Sequence, residues 1–127
     1  MKLRRGSNAI EFALILPILL TLIFGAMEYS WYFVQYEAVA RSASQGARAG
    51  SQVKLSSGPT SSAILAAKAT LTSSFPALSA SATVTSTVTG GNTINVSITV
   101  PYKPLIRYLP APATLTYSSS MRLEDLS

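Results

Sequence analysis

The sequence predicts an α+β chain. A long N-terminal helix, apolar enough to cross a membrane, continues into a small extracytoplasmic domain with a second helix and a roughly three-stranded antiparallel sheet. Three observations predict this. From Phe12 to Met27 the chain holds 16 consecutive uncharged residues, most of them large and apolar. Helix-compatible residues then continue without a proline through Ala49. Beyond Ser81 the pattern changes to strict alternation of apolar residues with Ser and Thr, interrupted by Gly90-Gly91-Asn92, which is the period of a half-buried strand and the chemistry of a hairpin turn.

The apolar run is short of the roughly 20 residues that cross a hydrocarbon core. Apolar character resumes after Glu28 through Trp31, Tyr32, Phe33 and Val34, so a span over about 12–34 is long enough. Tyr29, Trp31, Tyr32 and Tyr36 then fall where an interfacial aromatic belt would lie. No polar face interrupts the run before Glu28, as a soluble core helix of this length would require. Lys2, Arg4 and Arg5 precede the span, which keeps the amino terminus cytoplasmic and sends the rest of the chain outside.

Small residues recur four apart in the second half of the helix: Ala40 and Ser44, Ala43 and Ala47, Gly46 and Gly50. This spacing allows close approach of a neighbouring element, either another subunit or the chain's own domain. A loop follows over 50–62, and a second helix is expected from about Thr60 to Phe75, with Ile64, Leu65, Leu71 and Phe75 mostly on one side and Pro76 ending it. Val84, Ser86 and Val88 mark one strand, Ile94, Val96, Ile98 and Val100 the next, and Leu115, Tyr117, Ser119 and Met121 a third. The other face of these strands is nearly all Ser and Thr, and should be wet. Pro101, Pro104, Pro110 and Pro112 bracket a rigid connection holding Tyr102, Leu105, Ile106, Tyr108 and Leu109, which prolines exclude from a sheet interior. It either covers the core edge or offers a contact patch.

Composition excludes several functions. Cys and His are both absent, which removes thiol chemistry, disulfides, imidazole bases and the commonest zinc ligands. The five acidic residues, Glu11, Glu28, Glu37, Glu124 and Asp125, are too scattered for a metal site or a catalytic pair. No catalytic residue, cofactor or metal site is expected, and the chain is not an enzyme on this inventory. The formal charge is +5, yet three of the ten cations lie before the apolar run. The remainder form no basic stripe, so nucleic acid is not an expected partner.

The leader admits four processing routes. A secretory cut after the apolar run fits poorly, because Phe24-Gly25-Ala26-Met27 is not an A-x-A pattern. Arg4-Arg5 alone is a weak twin-arginine signal, and a lipoprotein signal would need a cysteine. A cut ahead of the apolar run, between Gly6 and Ser7, is the fourth. Gly6 lacks a Cβ, so a protease could approach the backbone closely there, although a flexible hinge before a helix would use glycine equally well.

Gly6-Ser7-Asn8-Ala9-Ile10-Glu11-Phe12 resembles the processing site of type IV pilin-like precursors. Leu16-Pro17, Phe24-Gly25-Ala26-Met27-Glu28-Tyr29, Ala40-Arg41 and Gly46-Ala47-Arg48-Ala49-Gly50 follow in an order similar to the TadE-like minor pilins (pseudopilins) of the tight-adherence, or Flp, pilus system, type IVb pilin-like proteins. The resemblance is close over residues 6–50 and weaker through Arg122-Leu123-Glu124. It implies a leader over 1–6, a long helix over 7–50 and a small periplasmic domain over 51–127. It further implies a prepilin peptidase cutting after Gly6, with Glu11 as the fifth mature residue pairing with the new ammonium at Ser7 of a neighbour. The implied partners are that peptidase, other minor pilins, the Flp major pilin, the inner-membrane assembly platform and membrane lipid, in a bacterial inner membrane. Phe12 departs from the tyrosine typical of major Flp pilins, and with the chain length favours a minor subunit.

Three residues keep two explanations each. Glu11 is either such a pairing group or an acid at the membrane edge, favoured near a helix start by the macrodipole. Pro17 withdraws one hydrogen bond from the carbonyl of Ala13, which either kinks the span or is simply tolerated. Glu28 is a membrane-boundary acid that either reaches water or holds a specific partner. An unprocessed, membrane-anchored binding domain with a Ser/Thr-rich outer sheet is the alternative for the whole chain.

Overall fold

A computed structural model describes residues 4–106 and 110–124, with side chains from Asn8 onward. Lys2, Tyr108, Leu109 and Asp125, and the side chains of Arg4, Arg5, Gly6 and Ser7, lie outside the described residues. The elements run α1 (Arg4–Ser51), a single 3-10 turn at Leu55–Ser57, α2 (Pro59–Ser74), α3 (Pro76–Ser79), β1 (Thr83–Thr89), β2 (Thr93–Pro101) and β3 (Thr114–Arg122). The expected helix, second helix and three-stranded antiparallel sheet are all present, in the expected order.

Helix α1 is one rod of 48 residues, roughly 72 Å long at 1.5 Å per residue. It passes through Pro17 without ending, and Thr21 Oγ1 donates to the Pro17 carbonyl at 2.8 Å. From Asn8 to Met27 its residues are exposed apart from half-buried Gly25, and from Glu28 onward one face is buried. That face comprises Glu28, Gln35, Ala38, Val39, Ser42, Ala43, Gly46, Ala47, Gly50 and Ser51, the three-and-four spacing that follows one side of a helix.

The small residues of this face meet small residues of α2, where Pro59, Ala63, Ala67 and Leu71 are buried. A Cβ added at Gly46 would lie 2.8 Å from the Ala63 carbonyl oxygen and 2.8 Å from the Ala67 Cβ. At Gly50 it would meet the Ala63 Cβ at 2.9 Å and the Ile94 Cδ1. The two helices are therefore packed backbone to backbone, and the alanine stripe of α2 faces inward. Of the large apolar residues expected mostly on one side of this helix, Leu71 is fully buried. Leu65 is 70% exposed, and Ile64 and Phe75 are half-buried. Larger side chains on the inner face would hold α2 off α1 and lose the close contact. Pro76 follows the end of α2, as expected, and also opens the short α3 as its first residue.

The sheet has the order β1-β2-β3, both pairs antiparallel, with Ile98 opposite Val84 on one side and Tyr117 on the other. Gly90 and Gly91 both have positive φ, 64° and 75°, in the three-residue hairpin loop, a geometry that favours glycine. On the inner face Ile94, Val96, Ile98, Val100 and Leu115 are buried with Val39, Ala43, Ala47 and Leu71. Fully burying each of the larger side chains contributes about 1.5–3 kcal/mol. The outer face carries Thr85, Thr87, Asn95, Thr116 and Ser118, all exposed, as the alternation predicts. The end of the described chain is tied down by backbone bonds from Leu123 N–H to Asn92 O and from Glu124 N–H to Ser51 O.

Candidate functional site

Two features of α1 carry the functional interest: its bare apolar half and the clasp where that half meets the domain. Ile10, Phe12, Leu14, Ile15, Ile18 and Leu22 are each at least 60% exposed. The helix is long and apolar enough to cross a membrane, and none of its most apolar 18-residue window is buried in the chain's own fold. A helix this apolar is stable in water only when its surface is covered, so it requires lipid or other protein around it. The uncovered stretch from Asn8 to Met27 measures roughly 30 Å, the thickness of a hydrocarbon core. Glu11 and Phe12 both sit within it and are exposed to the surroundings of the chain.

The clasp begins at the next residue. Glu28 is only 6% exposed. Its Oε1 accepts a hydrogen bond from the Tyr102 hydroxyl at 2.5 Å, and its Oε2 accepts one from the Ile106 backbone N–H at 2.8 Å. One and two turns further along, Trp31 Nε1 and Gln35 Nε2 both donate to the Lys103 carbonyl, each at 3.1 Å. Four hydrogen bonds therefore fasten residues 102–106 to three consecutive turns of α1. In this fold its carboxylate faces two donors inside the protein. Burial without such donors would be strongly unfavourable, and each bond to the charged group is worth about 1.5–3 kcal/mol.

Tyr102 is 7% exposed and joins the hydrophobic core. Burial first, and then the neighbouring Glu28 carboxylate, raise its phenol well above the usual tyrosine range, with a smaller contribution from Tyr32. The proline-bracketed connection thus does both things its composition allows. Tyr102 closes the core, while Leu105 stays 55% exposed beside Trp31, Met27 and Val34 in an open apolar groove. The aromatic residues beyond Met27 belong largely to the domain: Tyr32 meets Tyr102 edge-on with centroids 5.6 Å apart, and Tyr36 meets Tyr117 at 5.8 Å. Tyr29 and Phe33 remain well exposed, at 66% and 55%.

Glu11 and Glu28, grouped in sequence by being acids in an apolar helix, are not brought together. They lie roughly 26 Å apart along the rod. The small-residue pairs Ala43–Ala47 and Gly46–Gly50 are spent on the chain's own α2 and β2, whereas Ala40 and Ser44 remain partly exposed. Tyr102, Lys103 and Ile106 were not singled out by sequence as partners of the helix. Their only sequence signal was a buried-looking acid in need of donors and a proline-rich loop too apolar to float free. No group of three or more His, Cys, Asp or Glu side chains that could hold a metal occurs among the described residues.

Residues 6–48 match a family model described as TadE-like protein. The match covers the bare half of α1 and most of the half packed on the domain, and ends before the sheet begins. No curated protein and no solved structure matches the chain.

Proposed function

We propose that this chain is a minor pilin-like subunit, a pseudopilin, needed to assemble a Flp-type tight-adherence pilus. The observation that carries the proposal is the similarity to TadE-like proteins over residues 6–48, falling on a rod whose first half is apolar and uncovered by its own domain. In this reading residues 1–6 are a leader, the amino terminus is cytoplasmic, and the bilayer takes up the rod to about Met27 rather than to about 34, because Glu28, Trp31 and Tyr32 pack against the domain. The domain over 51–127 lies in the periplasm of a bacterial cell. Prepilin peptidase cuts between Gly6 and Ser7. The same apolar surface that lipid covers before assembly is covered by neighbouring helices afterwards, so extraction exchanges one apolar environment for another at little cost. Glu11 then takes the Ser7 ammonium of a neighbour, because an acid within an apolar bundle is stable only with a cation beside it. The partners follow: the peptidase, other minor pilins, the Flp major pilin and the inner-membrane assembly platform.

Helix α1 begins at Arg4, so the bond to be cut lies within its first turns. Cleavage in this reading requires that end to unwind locally, which glycine at position 6 eases by about 1 kcal/mol relative to alanine.

Mass spectrometry of the chain recovered from cells tests the proposal. A mature terminus at Ser7 is expected. Gly6→Ala should block trimming, while Glu11→Ala should allow trimming and impair piliation. An intact Met1, or a terminus beyond Met27, would leave the chain as an unprocessed membrane-anchored domain and sink the pilin assignment.

A further inference from the structure

Beside the clasp is a cavity of about 310 Å³ lined by Glu28, Tyr29, Tyr32, Tyr102, Pro110, Ala111 and Pro112. Its chemistry is one-sided. The walls are three phenol rings and two prolines, and the charged group among them is a carboxylate that is 6% exposed. Both of that carboxylate's hydrogen bonds come from neutral donors, a phenol and a backbone N–H. Among the described residues the ion pair formed is Arg41 with Glu37, on the open surface, so no described cation balances Glu28. An ionised carboxylate has about four acceptor positions, and donors among the described residues use two.

The three rings stand in a row along the cavity wall. Tyr32 stands between the other two, with centroids 6.2 Å from Tyr29 and 5.6 Å from Tyr102. Aromatic faces attract cations through the ring quadrupole, alkylammonium groups above all. Prolines offer no N–H, so an anion finds little to hold it on that wall. The position along the rod narrows the source. Glu28 directly follows the last residue of the bare apolar stretch, roughly 30 Å from Asn8, which is the depth where phospholipid head groups begin if residues 8–27 lie in a bilayer.

We infer that the cavity formed by Glu28, Tyr29, Tyr32, Tyr102 and the Pro110–Pro112 wall binds the alkylammonium head of a membrane phospholipid, an ethanolamine or choline head group. The inference rests on the membrane placement of α1 and not on processing or pilus assembly. It gives the carboxylate its counter-charge and seats the domain at a defined height on the bilayer surface. The Leu105–Met27–Trp31 groove then offers apolar surface at the same level of the rod.

The full chain in maltoside detergent, carrying a ¹³C-labelled alanine methyl at Ala111, is titrated with dihexanoyl phosphatidylethanolamine, phosphatidylcholine and phosphatidylglycerol. Saturable shifts of the Ala111 methyl are expected with the first two and not with the third. Glu28→Gln and, independently, Tyr29→Leu should each weaken binding at least tenfold. Tyr29 is 66% exposed, so its variant should melt like the parent and keeps the result interpretable if Glu28→Gln unfolds. Equal shifts with phosphatidylglycerol, or full binding by Tyr29→Leu, would overturn the inference. Free ethanolamine binding as tightly as the lipid would overturn the lipid assignment. So would saturation by the peptide Ser-Asn-Ala-Ile-Glu-Phe without any by lipid, which would give the site to a second copy's amino terminus. Binding that appears only after Arg107→Ala would show that the chain's own neighbouring cation fills the site, with the same consequence.

Discussion

At the scale of single residues, two glycines in one helix have opposite meanings. Gly25 has nothing within 4 Å of where a Cβ would stand, whereas Gly46 has the Ala63 carbonyl oxygen and the Ala67 Cβ at 2.8 Å. Alanine favours a helix over glycine by about 1 kcal/mol, and overpacking a close contact costs about 1–3 kcal/mol. Gly25→Ala should therefore leave the melting temperature of the detergent-solubilised chain unchanged or raised. Gly46→Ala should lower it, because the oxygen it meets is backbone and cannot rotate away. Equal melting of the two variants would mean that α1 and α2 do not pack this closely. From sequence, the four-residue spacing of Gly46 and Gly50 identified a close approach. It did not say against what, since a helix face approached by α2 and one approached by a neighbouring subunit need the same small side chains.

At the scale of elements, the connection between β2 and β3 acts as a latch on α1, and its behaviour with pH follows from Tyr102. The folded phenol holds its proton to a higher pH than an unfolded tyrosine, whose ordinary value is 10.0. Stability from this group is accordingly complete below about pH 10 and is lost as pH rises from there toward the raised folded value. Amide exchange of residues 103–106, after correction for its intrinsic pH dependence, should show the latch loosening above about pH 10. In Tyr102→Phe the latch should be weaker by about 1–3 kcal/mol at neutral pH, since Glu28 loses a donor while remaining buried, and the alkaline step should vanish. Persistence of that step in Tyr102→Phe would assign it to another group. The elements themselves were legible in advance. The apolar run, the alternating strands and the Gly90-Gly91-Asn92 turn each repeat at a period that local geometry imposes. The inward side of α2 is not legible from the size of its side chains, because the close approach of two backbones decides it.

At the scale of the whole molecule, the chain is a rod with a domain on its second half only. The bare half must be covered by something outside the chain, while the covered half is held at Glu28, Trp31 and Gln35 by one short loop. In the orientation proposed from Lys2, Arg4 and Arg5, alkaline phosphatase fused after Ser127 should be active in intact cells and the same enzyme fused ahead of Met1 inactive. Activity of the amino-terminal fusion would reverse the topology and remove the domain from the compartment where a pilus is built.

The sequence by itself determined the elements, their order, the wet and dry faces of the sheet, and the length of helix that needs an apolar environment. All of these are set by residues near one another in the chain, through helical and strand periodicity. Only the tertiary structure decided what Glu28 is for, where the domain's grip on the rod begins, and which side of α2 is inside. The first two depend on contacts between residues some seventy positions apart, 74 between Glu28 and Tyr102, and the third on the packing of α2 against α1. A buried acid states in sequence that it needs a donor, and the fold decides which one reaches it.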